Sequence, residues 1–566
     1  MDISRVDARV HLSRRSGISI LPHLSQYRPA FLWIDREPDL CCDDCPSGRG
    51  GWGGRKMQAL FAATTLIVAT LLGLTANASA GSLEPTCTGF KDLQLPGSDL
   101  EVVSTEYISQ APPHCLVRGA FERRKGADGK PYEIRFSIAL PDAWSGQFLV
   151  QGGGGLNGTV QPPAGNVAAG GKTALARGFA VISHDSGHQG EVWDGSFKAD
   201  QIATLNFAGW SVEKVAAAGK ALVSRYYGRS AHHSYFAGCS TGGREAMASA
   251  QRFPLIFDGV IAGAPAMRTS RSNMSLAAKN VAMNSISPTG KDGLPDRSLA
   301  FTDKDRSLVL GGLLKSCDKL DGVEDGMIGN PLACRFDPSS LVCKGGKTDE
   351  CLSADQVRVV AETFSPTAGA SGRPAYPAFP YDTGVMSVTD AIPGLMRFDD
   401  RRNRQFNNHA LTFDVDDAVE KADIDDPQQR LINADQWTDL SSFAAEGRKI
   451  IFFHGMSDPW FSANDTVDFF ERMKKAAGDR FKTDDWARLY LVAGMSHCRG
   501  GPAALDQFDL LTALVDWVEH GKPPEGVTAW GTAIPGRTRP LCPYPSHAHY
   551  KSDGATDDGA NFECRP

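Results

Sequence analysis

A serine flanked by glycines lies near the middle of the chain, where residues 238–242 read Gly-Cys-Ser-Thr-Gly. This matches Gly-X-Ser-X-Gly, the pattern that places a nucleophilic serine on a sharp turn between a strand and a helix. The apolar residues before it predict a buried strand, and the alanine-rich residues after it predict a helix. A side chain at Gly238 or Gly242 would collide with the neighbouring strand or helix. Ser240 is therefore the candidate nucleophile, with an ordinary structural turn as the alternative.

A serine hydroxyl needs a base, and the base needs a carboxylate to orient it. In α/β-hydrolases these groups follow the serine in the order Asp, His, each after a strand. The apolar run 450–453 predicts a strand with Asp458 in the loop behind it, and the run 488–492 predicts a final strand followed by His497. Order and position predict Asp458 as the acid and His497 as the base. Weaker candidates, expected behind the site or facing substrate, are His184, His188 and His454.

Four consecutive glycines, 152–155, follow a predicted buried strand at 146–151. They form either a flexible connector or a loop of backbone donors, and their position before the serine turn favours donors. We expect the N–H groups of Thr241, Gly154 and Gly155 to hold the oxyanion of an acyl-transfer reaction. The helix that begins at Thr241 adds positive potential at the same point.

The elements that must position these residues alternate strand and helix. Predicted strands at 178–183 and 259–265 flank a predicted amphipathic helix at 211–227, which indicates a doubly wound α/β sheet. After residue 266 the chain is rich in cysteine, proline and acidic loops, and the strand pattern resumes at 449. The prediction is an α/β-hydrolase fold with a large inserted lid. Its parts are the catalytic domain at 81–265 and 441–566 and the lid at 266–440.

The chain has 566 residues, which is too long for one ordinary core. Hydrophobic residues make up 42% and charged residues 22%, as in a globular protein. The net charge of −7 provides no electrostatic reason to expect nucleic-acid binding. Nucleic acid is therefore excluded as a predicted partner.

A secretion signal is predicted inside the N-terminal part of the chain. A basic pair precedes the apolar run 59–74, and the small residues at 78–80 form an Ala-X-Ala cleavage site. We interpret 57–80 as a signal peptide and 1–56 as an unstructured upstream mis-start. The mature protein is then expected to begin at Gly81, to be secreted or periplasmic, and to have no membrane association.

Of the 13 cysteines, three lie in 1–56 and ten remain in the predicted mature chain. An even number in an exported protein implies disulfides. Cys239 precedes Ser240 and Cys498 follows His497, so a bond between them would join the two catalytic loops. Spacing alone does not prove any pairing, and two buried free thiols are the alternative. Proximity favours Cys87–Cys115, Cys317–Cys334, Cys343–Cys351 and Cys542–Cys564, which leaves Cys239 with Cys498.

The predicted lid contains an acidic, glycine-containing segment at 317–328. Asp318, Asp321 and Asp325 supply hard oxygen ligands at short spacing, and two backbone carbonyls could complete a calcium shell. The spacing is not that of an EF-hand. An acidic surface loop is the alternative.

Together these residues resemble the tannase and feruloyl esterase family, whose members share a Cys-Ser…Asp…His-Cys arrangement, a linking disulfide and a calcium-binding lid. The family also includes mono(2-hydroxyethyl) terephthalate hydrolase. The resemblance covers nearly all of the predicted mature chain. It implies that structural Ca²⁺ is held by side chains of the three aspartates and by the carbonyls of Val323 and Met327. Thr241 stands where some relatives have an acidic residue.

The resulting prediction is a secreted serine carboxylic-ester hydrolase for aromatic, hydroxybenzoate- or hydroxycinnamate-type esters, with no organic cofactor. Alternatives are activity like that of mono(2-hydroxyethyl) terephthalate hydrolase, a peptidase, or a catalytically silent, calcium-stabilised binding protein. The natural ester and the oligomeric state stay open. Expected substrate contacts from the lid are Phe379, Arg397 and Phe398.

Overall fold

The computed structural model describes residues 84–386, 409–424 and 427–566, apart from 94 and 96. Expectations for the signal peptide and the upstream segment therefore lie outside the described residues. The strands are β1 Glu101–Ile108, β2 His114–Lys125, β3 Pro131–Pro141, β4 Gln147–Gln151, β5 Ala180–His184, β6 His233–Cys239, β7 Gly259–Gly263, β8 Thr367–Ala368, β9 Pro374–Tyr376, β10 Lys449–Gly455, β11 Ala487–Val492, β12 Gln507–Phe508, β13 Val527–Trp530, β14 Thr538–Leu541, β15 His547–Tyr550 and β16 Phe562–Arg565. The α-helices are α1 Glu84–Gly89, α2 Gln201–Leu205, α3 Ser211–Tyr227, α4 Thr241–Arg252, α5 Thr269–Asn284, α6 Asp303–Cys317, α7 Ala354–Phe364, α8 Val415–Ile424, α9 Pro427–Ile432, α10 Ser441–Ala445, α11 Ala463–Ala477 and α12 Leu510–His520.

A nine-stranded sheet organises the catalytic domain, in the order β1-β2-β3-β5-β4-β6-β7-β10-β11. Strands from β5 to β11 in this order pair in parallel, while β1, β2 and β3 add an antiparallel edge. The predicted α/β-hydrolase architecture is confirmed. Because parallel strands end at the same edge, the loops after β6, β10 and β11 meet there. Those loops carry Ser240, Asp458 and His497.

Side chains alternate between the two faces of this sheet. Phe236 and Phe452 pack in one core cluster with α3, α4 and α11. Tyr235 and Phe453, one residue away in each strand, pack in the other cluster with α12. A sheet covered on both faces buries nearly every side chain of its central strands, so these strands read as continuous apolar runs.

Between β7 and β10 the described chain forms the lid, which contributes no strand to the nine-stranded sheet. Its helices α5 to α7 enclose a separate apolar core. Two short-range disulfides, Cys317–Cys334 and Cys343–Cys351, lie in this part of the chain. The lid therefore has internal packing of its own.

Five disulfides are present among the described residues, with the pairing that proximity favours in the sequence. This number of disulfides is typical of an exported protein. Nowhere in the described part of the chain is a helix both long enough and apolar enough to cross a bilayer.

Candidate active site

Ser240 sits on a strained turn between β6 and α4, with φ +63° and ψ −122°. Non-glycine residues rarely adopt a positive φ, and the surrounding backbone must hold it there. A Cβ on Gly238 would lie 2.5 Å from the backbone of Gly242, and one on Gly242 would lie 2.8 Å from the carbonyl oxygen of Gly153. Glycine at both positions thus lets the serine turn pack against the glycine loop.

Asp458 and His497 are hydrogen-bonded, with 2.7 Å between Oδ2 and Nδ1. A carboxylate can only accept, so Nδ1 carries the proton and Nε2 is left as the basic atom. Burial alone would raise the pKa of Asp458, which is 1% exposed, but the charge of His497 and hydrogen bonds from His454 and His497 outweigh it. The pKa of Asp458 therefore lies well below its usual range. The pair can hold a protonated imidazole.

His454, at the end of β10, contacts the back of this carboxylate. Its Nε2 lies 3.2 Å from Asp458 Oδ2 and 3.0 Å from the carbonyl oxygen of Phe461. Its Nδ1 lies 2.8 Å from Thr466 Oγ1. His454 therefore supports the acid. The weaker candidates His184 and His188 are 1% exposed and do not line the cavity described below.

The disulfide between Cys239 and Cys498 joins the loops that carry Ser240 and His497, with a Cα–Cα distance of 6.0 Å. It closes a sequence separation of 259 residues. Both Ser240 and His497 line one cavity, as the predicted nucleophile and base must.

The glycine loop approaches the N-terminus of α4. The N–H of Gly152 donates to the Ala237 carbonyl at 3.0 Å, and that of Gly153 donates to Glu245 Oε2 at 2.9 Å. These two amides are occupied, which leaves those of Gly154 and Gly155 as the predicted donors of this loop. Both glycines line the same cavity as Thr241.

Glu245, one turn into α4, anchors the glycine loop from behind. This buried carboxylate accepts from the N–H of Gly153, from Asn157 Nδ2 at 2.9 Å and from Ser186 Oγ at 2.8 Å. Sequence reasoning missed this residue, because a glutamate early in a helix is unremarkable without its partners.

The cavity has a volume of about 1000 Å³. Trp193 and Trp460 stack at its wall, with ring centroids 5.7 Å apart and an interplanar angle of 19°. Basic side chains in the lining outnumber acidic ones. They are Lys172, Lys198, Arg244 and Arg499, against Asp506.

One lid residue expected to contact substrate does not line this cavity. Phe379 is 2% exposed and belongs to the apolar core of the lid, where its ring packs 5.9 Å from Tyr376 and 5.1 Å from Lys279 Nζ. Because the ring is buried against other lid residues, the prediction that Phe379 contacts substrate is wrong. The expectations for Arg397 and Phe398 lie outside the described residues. Lid residues that do line the cavity include Thr269, Asn273 and Gln429.

Asp382, a residue of the lid, accepts hydrogen bonds from the loop that carries Asp458 and from the loop that carries His497. Its Oδ2 accepts from Ser457 Oγ at 2.7 Å and from the N–H of Gly494 at 2.6 Å. Ser457 directly precedes Asp458, and Gly494 lies three residues before His497. Burial raises the pKa of Asp382 to about 6, although these hydrogen bonds oppose the shift.

The acidic loop of the lid brings three carboxylates together. Asp318 accepts from the N–H groups of Asp325 and Gly326 at 3.2 and 3.0 Å, and Asp321 accepts from that of Val323 at 3.3 Å. Burial, together with the charges of Asp325 and Asp318, raises the pKa of Asp321 to about 7, although the hydrogen bond from Val323 and the charge of Arg539 oppose the shift. Crowded, buried carboxylates of this kind fit a hard cation.

Two arginines share in balancing this charge. Asp325 Oδ2 pairs with Arg539 and lies 3.4 Å from an Arg537 nitrogen, while its Oδ1 accepts from the N–H of Met327 at 3.1 Å. These contacts tie the acidic loop of the lid to the C-terminal part of the chain.

Comparison with known proteins assigns the family. A family model described as tannase and feruloyl esterase matches residues 115–398 and 387–565. The chain belongs to the tannase and feruloyl esterase family. It is accordingly a carboxylic ester hydrolase of that family.

Relatives in this family come from bacteria and fungi. Mono(2-hydroxyethyl) terephthalate hydrolase of Piscinibacter sakaiensis is 38% identical over 81% of this chain and 86% of its own length. A probable feruloyl esterase B-2 of Aspergillus flavus is 33% identical over 70% and 76%. The crystal structure of feruloyl esterase B from Aspergillus oryzae superimposes with a TM-score of 0.69 at 27% identity, covering 86% of this chain and all of that one.

Removing the active-site disulfide by a Cys239→Ala, Cys498→Ala double change should lower kcat on the order of 100-fold, because a displacement of about 1 Å between nucleophile and base costs that much. Rates are measured per folded molecule, with the folded fraction taken from circular dichroism. The matched control, Cys343→Ala with Cys351→Ala in the lid, should leave kcat unchanged. Equal losses in the two double variants, or recovery of Cys239 as a free thiol on peptide mapping, would contradict this role.

Asp382→Asn removes an ionisable group while keeping its shape. The folded pKa of about 6 exceeds the ordinary value of 3.8, so the folded state binds the proton more tightly. The contribution of Asp382 to stability is therefore fully present below the unfolded pKa and is lost as the pH rises through 6. Between about pH 4 and about pH 7, the free energy of unfolding of the wild type relative to the variant should fall by up to about 3 kcal/mol.

Urea denaturation at each pH measures this difference, and Asp417→Asn on α8, an exposed carboxylate, is the control. A difference between wild type and Asp382→Asn that is independent of pH would show that Asp382 does not titrate as a buried group.

Proposed function

We propose that this enzyme hydrolyses aromatic carboxylic esters through an acyl-enzyme formed on Ser240. His497 Nε2 takes the serine proton as the hydroxyl attacks the ester carbonyl, and Asp458 stabilises the imidazolium that results. The N–H groups of Thr241, Gly154 and Gly155 hold the oxyanion. His497 then protonates the leaving alcohol, and a water activated by the same imidazole releases the acid.

The observation that carries this proposal is the hydrogen bond from His497 to the buried Asp458, together with a cavity that both His497 and Ser240 line. An intact set of nucleophile, base and acid argues against a silent binding protein. The stacked pair of Trp193 and Trp460 supports a flat aromatic acyl or alcohol group, since ring faces favour offset stacking with another ring.

An ester whose aromatic acid carries a second, free carboxylate is the second candidate substrate. Among the basic residues of the lining Arg244 is buried, but Lys172, Lys198 and Arg499 are not, and these three against the single acidic Asp506 favour a negatively charged substrate. The relative described as mono(2-hydroxyethyl) terephthalate hydrolase is named for such a half-ester.

Ser240→Ala should reduce hydrolysis of p-nitrophenyl acetate on the order of 10⁴-fold or more, because it removes the attacking oxygen. Ser270→Ala, a change at another serine that lines the cavity, should stay within a few-fold of wild type. Activity retained in Ser240→Ala would overturn the proposed mechanism. A comparison of methyl gallate, methyl ferulate, mono(2-hydroxyethyl) terephthalate and its neutral bis-ester then ranks the substrate classes.

We also propose that the acidic loop of the lid binds Ca²⁺ as a structural ion. Side chains of Asp318, Asp321 and Asp325 and the carbonyls of Val323 and Met327 would hold it. Carboxylate and carbonyl oxygens are the ligands that Ca²⁺ takes. The ion would offset the repulsion among the three carboxylates and so keep the loop closed.

Asp321→Ala should abolish the rise in melting temperature that added Ca²⁺ produces, because only the native loop binds the ion. At a Ca²⁺ concentration about 100 times Kd, the wild type should gain about 2.7 kcal/mol. Glu324→Gln is the matched control, since this neighbouring acid pairs with Lys319 at the surface. A wild-type melting temperature unchanged by chelator would reduce the loop to an ordinary acidic surface segment.

A further inference from the structure

Two adjacent histidines and a glutamate meet at the edge of the sheet opposite the catalytic serine. His233 begins β6 and His232 precedes it, while Glu519 lies in the last turn of α12. The seven residues of β6, at about 3.3 Å each, separate the cluster from Ser240 by roughly 20 Å. The cluster is thus remote from the ester-hydrolysing site.

The candidate ligand atoms of these residues lie within 4.8 Å of one another. The two Nδ1 atoms are 3.0 Å apart, and His233 Nδ1 is 3.5 Å from Glu519 Oε1. Ligands about 2.0–2.1 Å from a tetrahedral zinc ion lie roughly 3.3 Å from each other. One cation of that size therefore matches the two separations that His233 Nδ1 makes, to His232 Nδ1 and to Glu519 Oε1.

The hydrogen bond made by His232 Nε2 fixes the tautomer in which Nδ1 of the same ring can bind a metal. Its Nε2 lies 3.1 Å from the carbonyl oxygen of Ser145. Because a carbonyl only accepts, Nε2 carries the hydrogen in the neutral ring, and Nδ1 keeps a lone pair directed at His233. A ring nitrogen that donates to a backbone carbonyl is the usual arrangement behind a metal-binding histidine.

Glu519 is held in place by two donors, Tyr235 Oη at 2.6 Å and Gln147 Nε2 at 3.0 Å, both on Oε1. Burial opposes its charged form, but these hydrogen bonds outweigh burial and lower the pKa of Glu519. Burial also lowers the pKa of His233, as do the charges of His232 and Arg448, whereas Glu519 opposes this shift.

We propose that His232, His233 and Glu519 bind one divalent cation of the zinc class, with water completing the shell. Two imidazoles and one carboxylate select late first-row metals over Ca²⁺ and Mg²⁺. Without the cation, His233 Nδ1 carries a proton and donates it in a hydrogen bond to His232 Nδ1 or towards Glu519 Oε1. The cation replaces this proton, which Nδ1 releases to water, and Nε2 takes up a proton from water, so the ring stays neutral. The ion ties the start of β6 to the end of α12.

The test is titration of untagged enzyme with ZnCl2 by calorimetry, after treatment with chelator and resupply of Ca²⁺. Wild type should bind one Zn²⁺ with micromolar affinity and melt at a higher temperature with Zn²⁺ present. His232→Ala and Glu519→Gln should each weaken binding on the order of 10- to 100-fold. His520→Ala, at the same helix end but paired with Asp516, should bind as the wild type does.

His232 is exposed and precedes β6, so its replacement leaves the strand intact. Visible absorption of Co²⁺ provides a second measurement, because four-coordinate bands should form with wild type and be absent from His232→Ala. Hydrolysis of p-nitrophenyl acetate should be the same with and without Zn²⁺ at this site. Absence of Zn²⁺ binding by wild type, or equal binding by wild type and both ligand variants, would overturn the proposal.

Discussion

The covalent link between Cys239 and Cys498 is the constraint on which the geometry of the site depends. It joins the end of β6 to the loop after β11, and the two cysteines are separated by 259 residues that include the whole lid. Without it, the distance between the serine turn and the histidine loop would depend only on non-covalent packing at the edge of the sheet. The bond lies one residue from Ser240 and one residue from His497. A displacement of the lid would therefore change the distance between these two residues little.

Buried carboxylates position the surrounding loops. Glu245 accepts from the glycine loop, and Asp382 accepts from the loops that carry the acid and the base. In each case the partners are N–H or O–H donors, and both carboxyl groups are buried. Acceptors of this kind fix backbone N–H groups without occupying the cavity. The lid thus contacts the loops that carry Asp458 and His497 through Asp382, and it also supplies part of the cavity wall.

The charged residues of the cavity and those of the remote histidine cluster lie at opposite ends of the strands and have different roles in the two proposals. Lys172, Lys198 and Arg499 face a cavity of about 1000 Å³, where a diffusing anion would experience their combined field. His232 and Glu519 instead lie at the opposite edge of the sheet, where a bound ion would act on stability alone. This separation would keep metal binding by the cluster independent of ester hydrolysis.

The sequence by itself predicted the α/β-hydrolase fold and the candidate triad, because both depend on local periodicity and on the order of motifs along the chain. It favoured a pairing of the cysteines by proximity, but only the tertiary structure brings Cys239 and Cys498 together across 259 residues. Only the tertiary structure revealed the hydrogen bonds that Asp382 accepts from two loops of the site, those that Glu245 accepts from the glycine loop, and the burial of Phe379 in the lid core. Asp382 contacts a residue 112 positions away, and such a contact leaves no periodic pattern. Phe379 shows the same limit, since an aromatic residue in the lid fits either a substrate wall or a core. Which one it joins depends on how the surrounding helices pack.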